Sequence, residues 1–354
     1  MTKIGIFEDM IIKVLVIGVG NMGASHARAY NDIENFHLVG LVARNDKRKY
    51  SLSKELGDVP TFSDYKEAIR QTSPDAVSIN TYPDTHEEIS LYCIDHELHV
   101  FLEKPMATTV EGAIRIRDRA REKGVKVVVG YILRHHPSWT KFIEIAQSLG
   151  KPLVLRMNLN QQSYGELWEV HKSLMKSMSP IVDCGVHYVD IMCQMTKSIP
   201  VKVFASGVNL SPEIDSEMYN YGMLQVDFED GSTGWYEAGW GPMMSTTAYF
   251  VKDVIGPDGS VSIVEPRHEG SDIENHVKTS EILLHHSDKA KEDELIKLQG
   301  EPNHQELCQL EQQHFYKTIA EDLKMDDHME DAINSLKIVL AADRSVREGI
   351  IVKL

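Results

Sequence analysis

Three short stretches hold residue types that can do chemistry: GVGNMG at 18–23, FLEKPM at 101–106 and SPIVDCGVHYVD at 179–190. In the third, Asp183 and His187 stand four residues apart. On a helix beginning near Asp183, that spacing sets both side chains on one face, where a carboxylate and an imidazole can address one ligand. An N-capping aspartate followed by a core histidine gives the same letters. Asp190, one turn beyond His187, is placed either to orient it or to face solvent. In the second stretch an apolar run ends at Leu102 and a carboxylate, an ammonium and a proline follow at once. Proline turns the chain there. Charges at the end of a buried strand are costly unless paired or used, although a surface ion pair is the plain alternative and contributes little.

The first stretch explains what such groups would serve. Residues 11–17 (IIKVLVI) form a continuous apolar run, the mark of a strand buried on both faces. The run enters GVGNMG and then a helical stretch, ASHARAYNDI. Gly18, Gly20 and Gly23 therefore fit the GxGxxG turn between a first strand and a helix, with Asn21 and Met22 in the turn itself. The first glycine permits the tight turn, the second lets a pyrophosphate approach the backbone, and the third allows close helix–strand packing. The motif in this context predicts a bound NAD or NADP. After the second strand stand Ala43 and Arg44, then Asn45, Asp46 and the basic run Lys47, Arg48 and Lys49. An acid would hold the ribose 2′-hydroxyl of NAD, and an arginine accommodates the 2′-phosphate of NADP. Arg44 favours NADP, while Asp46 could still reach a ribose and the basic run could be a solvated helix start.

These residues need elements to position them. Strands are expected at FHLVGLVA, AVSIN, HVFLE and VKVVVG, with helices between them through SLSKELG, near 87–96 and over VEGAIRIRDRAREKG. Such alternation means βαβ units and a parallel sheet. Beyond Gly130 the pattern changes. A helical HPSWTKFIEIAQSLG leads to a strand PLVLRMNLN, an irregular polar segment through Met178, and a helix after Asp183. Then VKVFASGVN, YGMLQVDF, TGWYEAGW, YFVKDVIG and SVSIV alternate with turn residues, which indicates a hairpin-rich sheet. Helices near 305–322 and 329–347 and a last strand in IIVKL close the chain. The fold class is thus an α/β Rossmann domain, residues 10–133, plus an α+β domain with an open, mainly antiparallel sheet, residues 134–354. The C-terminal helix is free to pack back on the first domain, and an open sheet face must be covered, so a homodimer or homotetramer is expected. Residues 265–302 read as an exposed excursion with one embedded strand, EILLHH.

The totals exclude several classes. A net charge of −16 argues against nucleic acid or anionic membrane as the main partner, yet leaves room for a phosphorylated ligand in a local basic pocket. The four cysteines form no CxxC pair, which fits reduced thiols in the cytoplasm and argues against a disulfide framework or zinc site. Adjacent histidines, as in His135-His136 and His285-His286, make poor metal ligands because neighbours rarely point the same way. No apolar run approaches the roughly 20 residues that span a bilayer. The opening MTKIGIFEDM lacks the basic and apolar regions of a signal peptide and reads as a short extension before the first strand, with Met10 a conceivable start.

GVGNMGASHARAY, TYPDTH, HVFLEKPMATT, GYILRHHPSW and DCGVHYVD, in that order over nearly the whole chain, resemble the glucose–fructose oxidoreductase/inositol dehydrogenase (Gfo/Idh/MocA) family. The resemblance implies that the open sheet forms the oligomer contact and that a Lys–Asp–His active site falls on Lys104, Asp183 and His187. It implies cofactor contacts on the glycine turn, Thr81, His86, Glu103 and Lys104. Lys104 would stabilise a developing alkoxide, His187 would accept the hydroxyl proton, Asp183 would hold substrate or Lys104, and Glu103 would anchor cofactor or Lys104. Tyr131 and Arg134 are placed to line a substrate pocket, with Asn160, Asn158 and Tyr236 as weaker candidates. Two positions depart from the family pattern: Met178-Ser179-Pro180 replaces a common Gly-Gly, and Ala43 stands where many NAD users carry Asp.

The function expected is hydride transfer between a secondary alcohol of a sugar, inositol or sugar phosphate and the nicotinamide. A glycosidase using transient oxidation, or a non-catalytic dinucleotide and sugar sensor, would use the same scaffold.

Overall fold

The computed structural model describes residues 10–245, 251–264 and 281–354. The first 132 residues bring six strands: β1 (Ile12–Ile17), β2 (Phe36–Val42), β3 (Thr61–Phe62), β4 (Ala76–Ile79), β5 (His99–Leu102) and β6 (Val127–Val129). Between them run α1 (Asn21–Asp32), α2 (Asp46–Glu55), α3 (Tyr65–Thr72), α4 (His86–Asp95) and α5 (Val110–Lys123). All neighbouring strands pair in parallel, in the order β3-β2-β1-β4-β5-β6. This is the dinucleotide-binding order, whose reversal between β1 and β4 opens a crevice at the carboxyl ends of the strands. The expected strands and helices form as read. β3, two residues long, and α3, eight residues long, are additions that their shortness hid.

The second set comprises α6 (Pro137–Ser148), β7 (Val154–Gln162), α7 (Gly165–Leu174), α8 (Pro180–Asp183), α9 (Gly185–Thr196), β8 (Pro200–Val208), β9 (Tyr221–Phe228), β10 (Thr233–Gly241), β11 (Lys252–Gly256), β12 (Gly259–Val264), β13 (Glu281–His286) and β14 (Glu294–Lys297). The chain then runs through α10 (His304–Ala320) and α11 (Asp326–Glu348) to β15 (Val352–Lys353). Nine strands build one sheet, β14-β13-β12-β11-β7-β10-β9-β8-β15. Every pairing in it is antiparallel except β7 with β10. The polar segment before Met178, read as irregular, contains the helix α7. Residues 265–280 of the expected excursion, and the first residues of YFVKDVIG, lie outside the described residues; EILLHH forms β13.

The chain divides into two compact units. The first contains the parallel sheet together with residues 305–333, and the second contains residues 133–304 and 334–354. The core of the first unit joins Val14, Val16 and Phe101 from the sheet to Ala27 and Tyr30 of α1 and to Phe315 of α10. Phe315 is fully buried, with its ring 6.0 Å from Phe101 and 6.3 Å from Phe36. In the second unit, one face of the sheet packs on α6, α8 and α9. The other face carries Phe204 at 47% exposure, Met223 at 39% and Val154 at 41%.

Removing the ring of Phe315 leaves a cavity in the first unit's core, although in sequence the residue lies between the two segments of the second unit. Phe315→Ala is expected to destabilise the dinucleotide unit by about 3–5 kcal/mol. Urea unfolding of the full chain, read by loss of dinucleotide binding, checks this.

Candidate active site

Three glycines after β1 meet three different surroundings. Gly18 has φ +91°, and a side chain there would lie 2.6 Å from the Asn80 carbonyl. A Cβ on Gly23 would fall 2.0 Å from the Gly18 carbonyl oxygen. Around Gly20, by contrast, nothing lies within 4 Å of an added Cβ. Two of the glycines are therefore required by the protein's own packing, and the exposed middle one leaves open space at the N-terminus of α1. Gly20 is the N-cap residue and makes no side-chain cap, so the first amides of the 12-residue helix α1 remain available to an anion. Asn21 is exposed and Met22 half-buried beside it. The cradle fits a pyrophosphate.

At the end of β2, Ala43 is half-buried and Arg44 exposed. The basic run that follows is smaller than it reads. Lys49 is 2% exposed, its ammonium donating to the carbonyls of Ala43 at 3.1 Å and Phe62 at 3.2 Å and to Ser63 Oγ at 2.7 Å. It braces the loop from within, leaving the exposed Arg44, Lys47 and Arg48 as the cations beside the strand end.

The stretch at 101–106 resolves the placing of its charges. Glu103 follows β5 and is 6% exposed, with Oε1 accepting from His26 Nε2 at 2.7 Å and Oε2 from the Lys104 amide at 3.1 Å. Gln312 on α10 donates to the other ring nitrogen of His26 at 2.9 Å, which makes Nε2 the protonated, donating nitrogen. Burial alone would raise the Glu103 pKa, but the bond from His26 and the neighbouring Lys104 hold it below the ordinary carboxylate range. Lys104, half-buried, thus begins from a backbone pinned to a buried anion. Thr81 is half-buried and its hydroxyl accepts from Thr85 at 2.7 Å. His86, expected at the cofactor, is fully buried with its nitrogens 2.9 Å from the Pro105 carbonyl and 3.0 Å from that of Thr81. It ties the turn after β5 to the loop after β4 and presents its ring inward.

In the second unit the segment 179–190 forms two helices. Asp183 ends α8, Cys184 is the junction, and His187 is the third residue of α9, its amide bonded to the Cys184 carbonyl at 3.2 Å. The expected single helix from Asp183 is therefore interrupted at Cys184. Asp183 is half-buried and His187 is 7% exposed. Asp190 does not face solvent: it is 1% exposed and accepts both Nε (2.7 Å) and a terminal nitrogen of Arg134. That bidentate pair anchors α9. Tyr131, in the first unit, is 1% exposed at the end of β6. Asn160 donates to Glu237, and Asn158 accepts from the Val251 amide at 2.8 Å, so both brace the sheet.

Reading the segment before Met178 as irregular hid His171. On α7 it is 5% exposed, stacked 4.4 Å from Trp240, with Nδ1 3.0 Å from Ser163 Oγ. Trp240 donates to Gln161 Oε1 at 2.7 Å, and Cys184 Sγ lies 3.4 Å from the same oxygen. Burial pushes the His171 pKa down to about 4 against an opposing pull from Asp183. His171 therefore stands as a neutral imidazole beside a carboxylate.

A profile described as "Oxidoreductase family, NAD-binding Rossmann fold" matches residues 12–131, and one described as "GFO/IDH/MocA C-terminal domain" matches residues 144–261. The chain is 26% identical over 357 residues to scyllo-inositol 2-dehydrogenase (NAD(+)) of Bacillus subtilis (strain 168), covering 97% of this chain and 96% of that protein. Glucose-6-phosphate 3-dehydrogenase of the same organism is 26% identical over 197 residues, 52% of this chain and 54% of its own. In fold, scyllo-inositol dehydrogenase from Lactobacillus casei with bound NAD(H) and scyllo-inositol superposes with a TM-score of 0.80 at 19% identity, covering 97% of this chain and 99% of the other.

Gly20→Ala is expected to weaken dinucleotide binding at least tenfold at unchanged thermal stability, because its Cβ enters only the open cradle. Gly23→Ala is expected to unfold the unit, since the clash is with backbone. Dinucleotide titration alongside thermal unfolding separates them. A second expectation concerns pH. His171 and His136 both have pKa values lowered to about 4, chiefly by burial. The unfolded chain then binds protons that the folded one does not, so stability falls as pH drops from about 6.5 toward about 4. Each should remove on the order of 2 kcal/mol at pH 5 relative to pH 7. Denaturant curves at the two pH values check this, with His171→Gln expected to remove about half of the two histidines' joint contribution.

Proposed function

Because the chain belongs to the Gfo/Idh/MocA oxidoreductase family, with its NAD-binding Rossmann fold, we propose that it is a dehydrogenase of secondary alcohols. The substrate class is a polyol: an inositol, a sugar or a sugar phosphate. The observation that carries this reading is Lys104 at the carboxyl end of β5, its amide held by the buried carboxylate of Glu103. In parallel sheets of this order ligands bind outside the carboxyl ends of the strands. The glycine cradle, Thr81 and Arg44 would hold the dinucleotide, which when bound supplies the hydride acceptor.

Lys104 stabilises negative charge on the reacting oxygen as the hydroxyl ionises. His187 takes the hydroxyl proton, since an imidazole exchanges protons near working pH. Asp183 orients the substrate by accepting from a hydroxyl. Neutral His171 can donate to or accept from a further hydroxyl, which suits a polyol whose every carbon bears a donor and acceptor. Similarity to inositol and sugar-phosphate dehydrogenases supports the substrate class. The exposed Arg44, without an acid at Ala43, supports NADP as the preferred cofactor.

A second copy of the chain would cover the outer face of the nine-stranded sheet. One row across it reads Phe204, Gln225, Trp235, Arg156 and Asp253, apolar and charged groups mixed as at protein interfaces.

The test is absorbance at 340 nm during a screen of inositols, aldoses and their phosphates with NAD and NADP in parallel. Reduction with one polyol is the expected result. Lys104→Ala and His187→Ala should each lower kcat by about 10²-fold or more while leaving dinucleotide affinity within a few-fold. Full turnover in both variants overturns the assigned roles. Arg44→Ala should raise KM for NADP at least tenfold more than for NAD. Dinucleotide binding with no reduction across the panel would favour a glycosidase or sensor instead.

A further inference from the structure

Ser179 precedes the segment that carries Asp183 and His187, at a position where the sequence departs from the family's Gly-Gly. It is fully buried and caps α8, its Oγ accepting from the Val182 amide at 3.2 Å. The same Oγ donates to Asp343 Oδ1 at 2.7 Å and lies 2.9 Å from the Tyr219 hydroxyl, which itself donates to Asp343. The three side chains come from the cap of α8, the connection between β8 and β9, and α11.

The placing of Tyr219 is specifically built. Gly207 and Gly222 face one another across the β8–β9 ladder. A Cβ on Gly207 would lie 2.7 Å from the Tyr219 ring and 2.8 Å from Val346, and one on Gly222 would lie 2.6 Å from the ring and 2.9 Å from Ile181. Glycine weakens a strand interior, and two directly paired glycines do so twice. They leave a slot that the ring fills, walled by α8 and α11. The slot delivers the phenolic hydroxyl to Ser179 and Asp343.

We infer that Ser179, Tyr219 and Asp343 are positioning residues that fix the short helix bearing Asp183, and through it the start of α9 with His187. This rests on the proposed roles of Asp183 and His187. The mechanical link is direct: the Asp183 amide bonds the Ser179 carbonyl at 3.0 Å, so any shift of the cap carries Asp183 with it.

Two measurements on the full chain test the inference. Hydrogen exchange of the peptide covering 179–190 needs no substrate. Tyr219→Phe keeps the ring and removes one bond, so exchange there is expected to speed by roughly tenfold, the worth of one hydrogen bond, while the parallel-sheet peptides keep their rates. Ser179→Ala should do the same, Ser179→Thr should restore protection, and Gly222→Ala should mimic Tyr219→Phe by displacing the ring. With the polyol from the 340 nm screen, kcat should fall in step with exchange at unchanged KM for the dinucleotide. Wild-type exchange in both Tyr219→Phe and Ser179→Ala overturns the inference, as does loss of protection spread evenly over the chain. If exchange responds as expected but His187→Ala retains turnover, the triad stands and the catalytic assignment fails.

Discussion

A carboxylate taken out of water must be held by donors or it neutralises. Glu103 is such a group, and much of the first unit is arranged around it. His26 reaches it from α1, the Lys104 amide from the next peptide, and Gln312 from α10 fixes the imidazole tautomer. Glu311, on the same helix as Gln312, is 1% exposed, and burial together with the Glu103 charge pushes its pKa well up. The cluster draws its members from α1, the turn after β5 and α10. The turn that presents Lys104 follows from that arrangement.

The second unit solves a related problem differently. Asp183 and His187 sit on two helices joined at Cys184, and neither is held by the helix alone. Arg134 grips Asp190 one turn further on, while Ser179 caps α8 on the other side and bonds Asp343. The braces on this segment are polar side chains from separate elements. Such bracing is what a site held to sub-ångström geometry requires.

The parallel sheet was legible because both-face burial writes continuous apolar runs between glycines and helices. The GxGxxG turn was legible for the same reason, and GVGNMG sits where it should. What escaped the sequence has identifiable physics. β3 is two residues long and has no pattern to show. The helix α7 turns Trp168 and His171 inward toward polar neighbours, so it lacks the apolar stripe by which helices are found. Lys49 reads as part of a basic surface run, yet three oxygens draw it inside. Arg134 reads as a substrate candidate and Asp190 as an orienter of His187 or a solvent-facing acid, because the bond between them spans elements that no local pattern connects. Charge placement at a site depends on partners distant in sequence, which is why the residue types were readable and their pairings were not.

The first unit is also discontinuous, since residues 305–333 complete a core begun at Ile12. During synthesis its sheet and glycine turn emerge early, but Phe315 and Gln312 follow only after every strand of the second sheet except β15 has been made. At 5–20 residues per second the gap is roughly ten to forty seconds. Through that interval Phe36, Phe101 and the Glu103–His26 pair face the ribosome's surroundings without their covering helix. A nascent chain of this design needs shelter at that stage, and an N-terminal fragment cut at the end of β6 would lack the helix that closes its core.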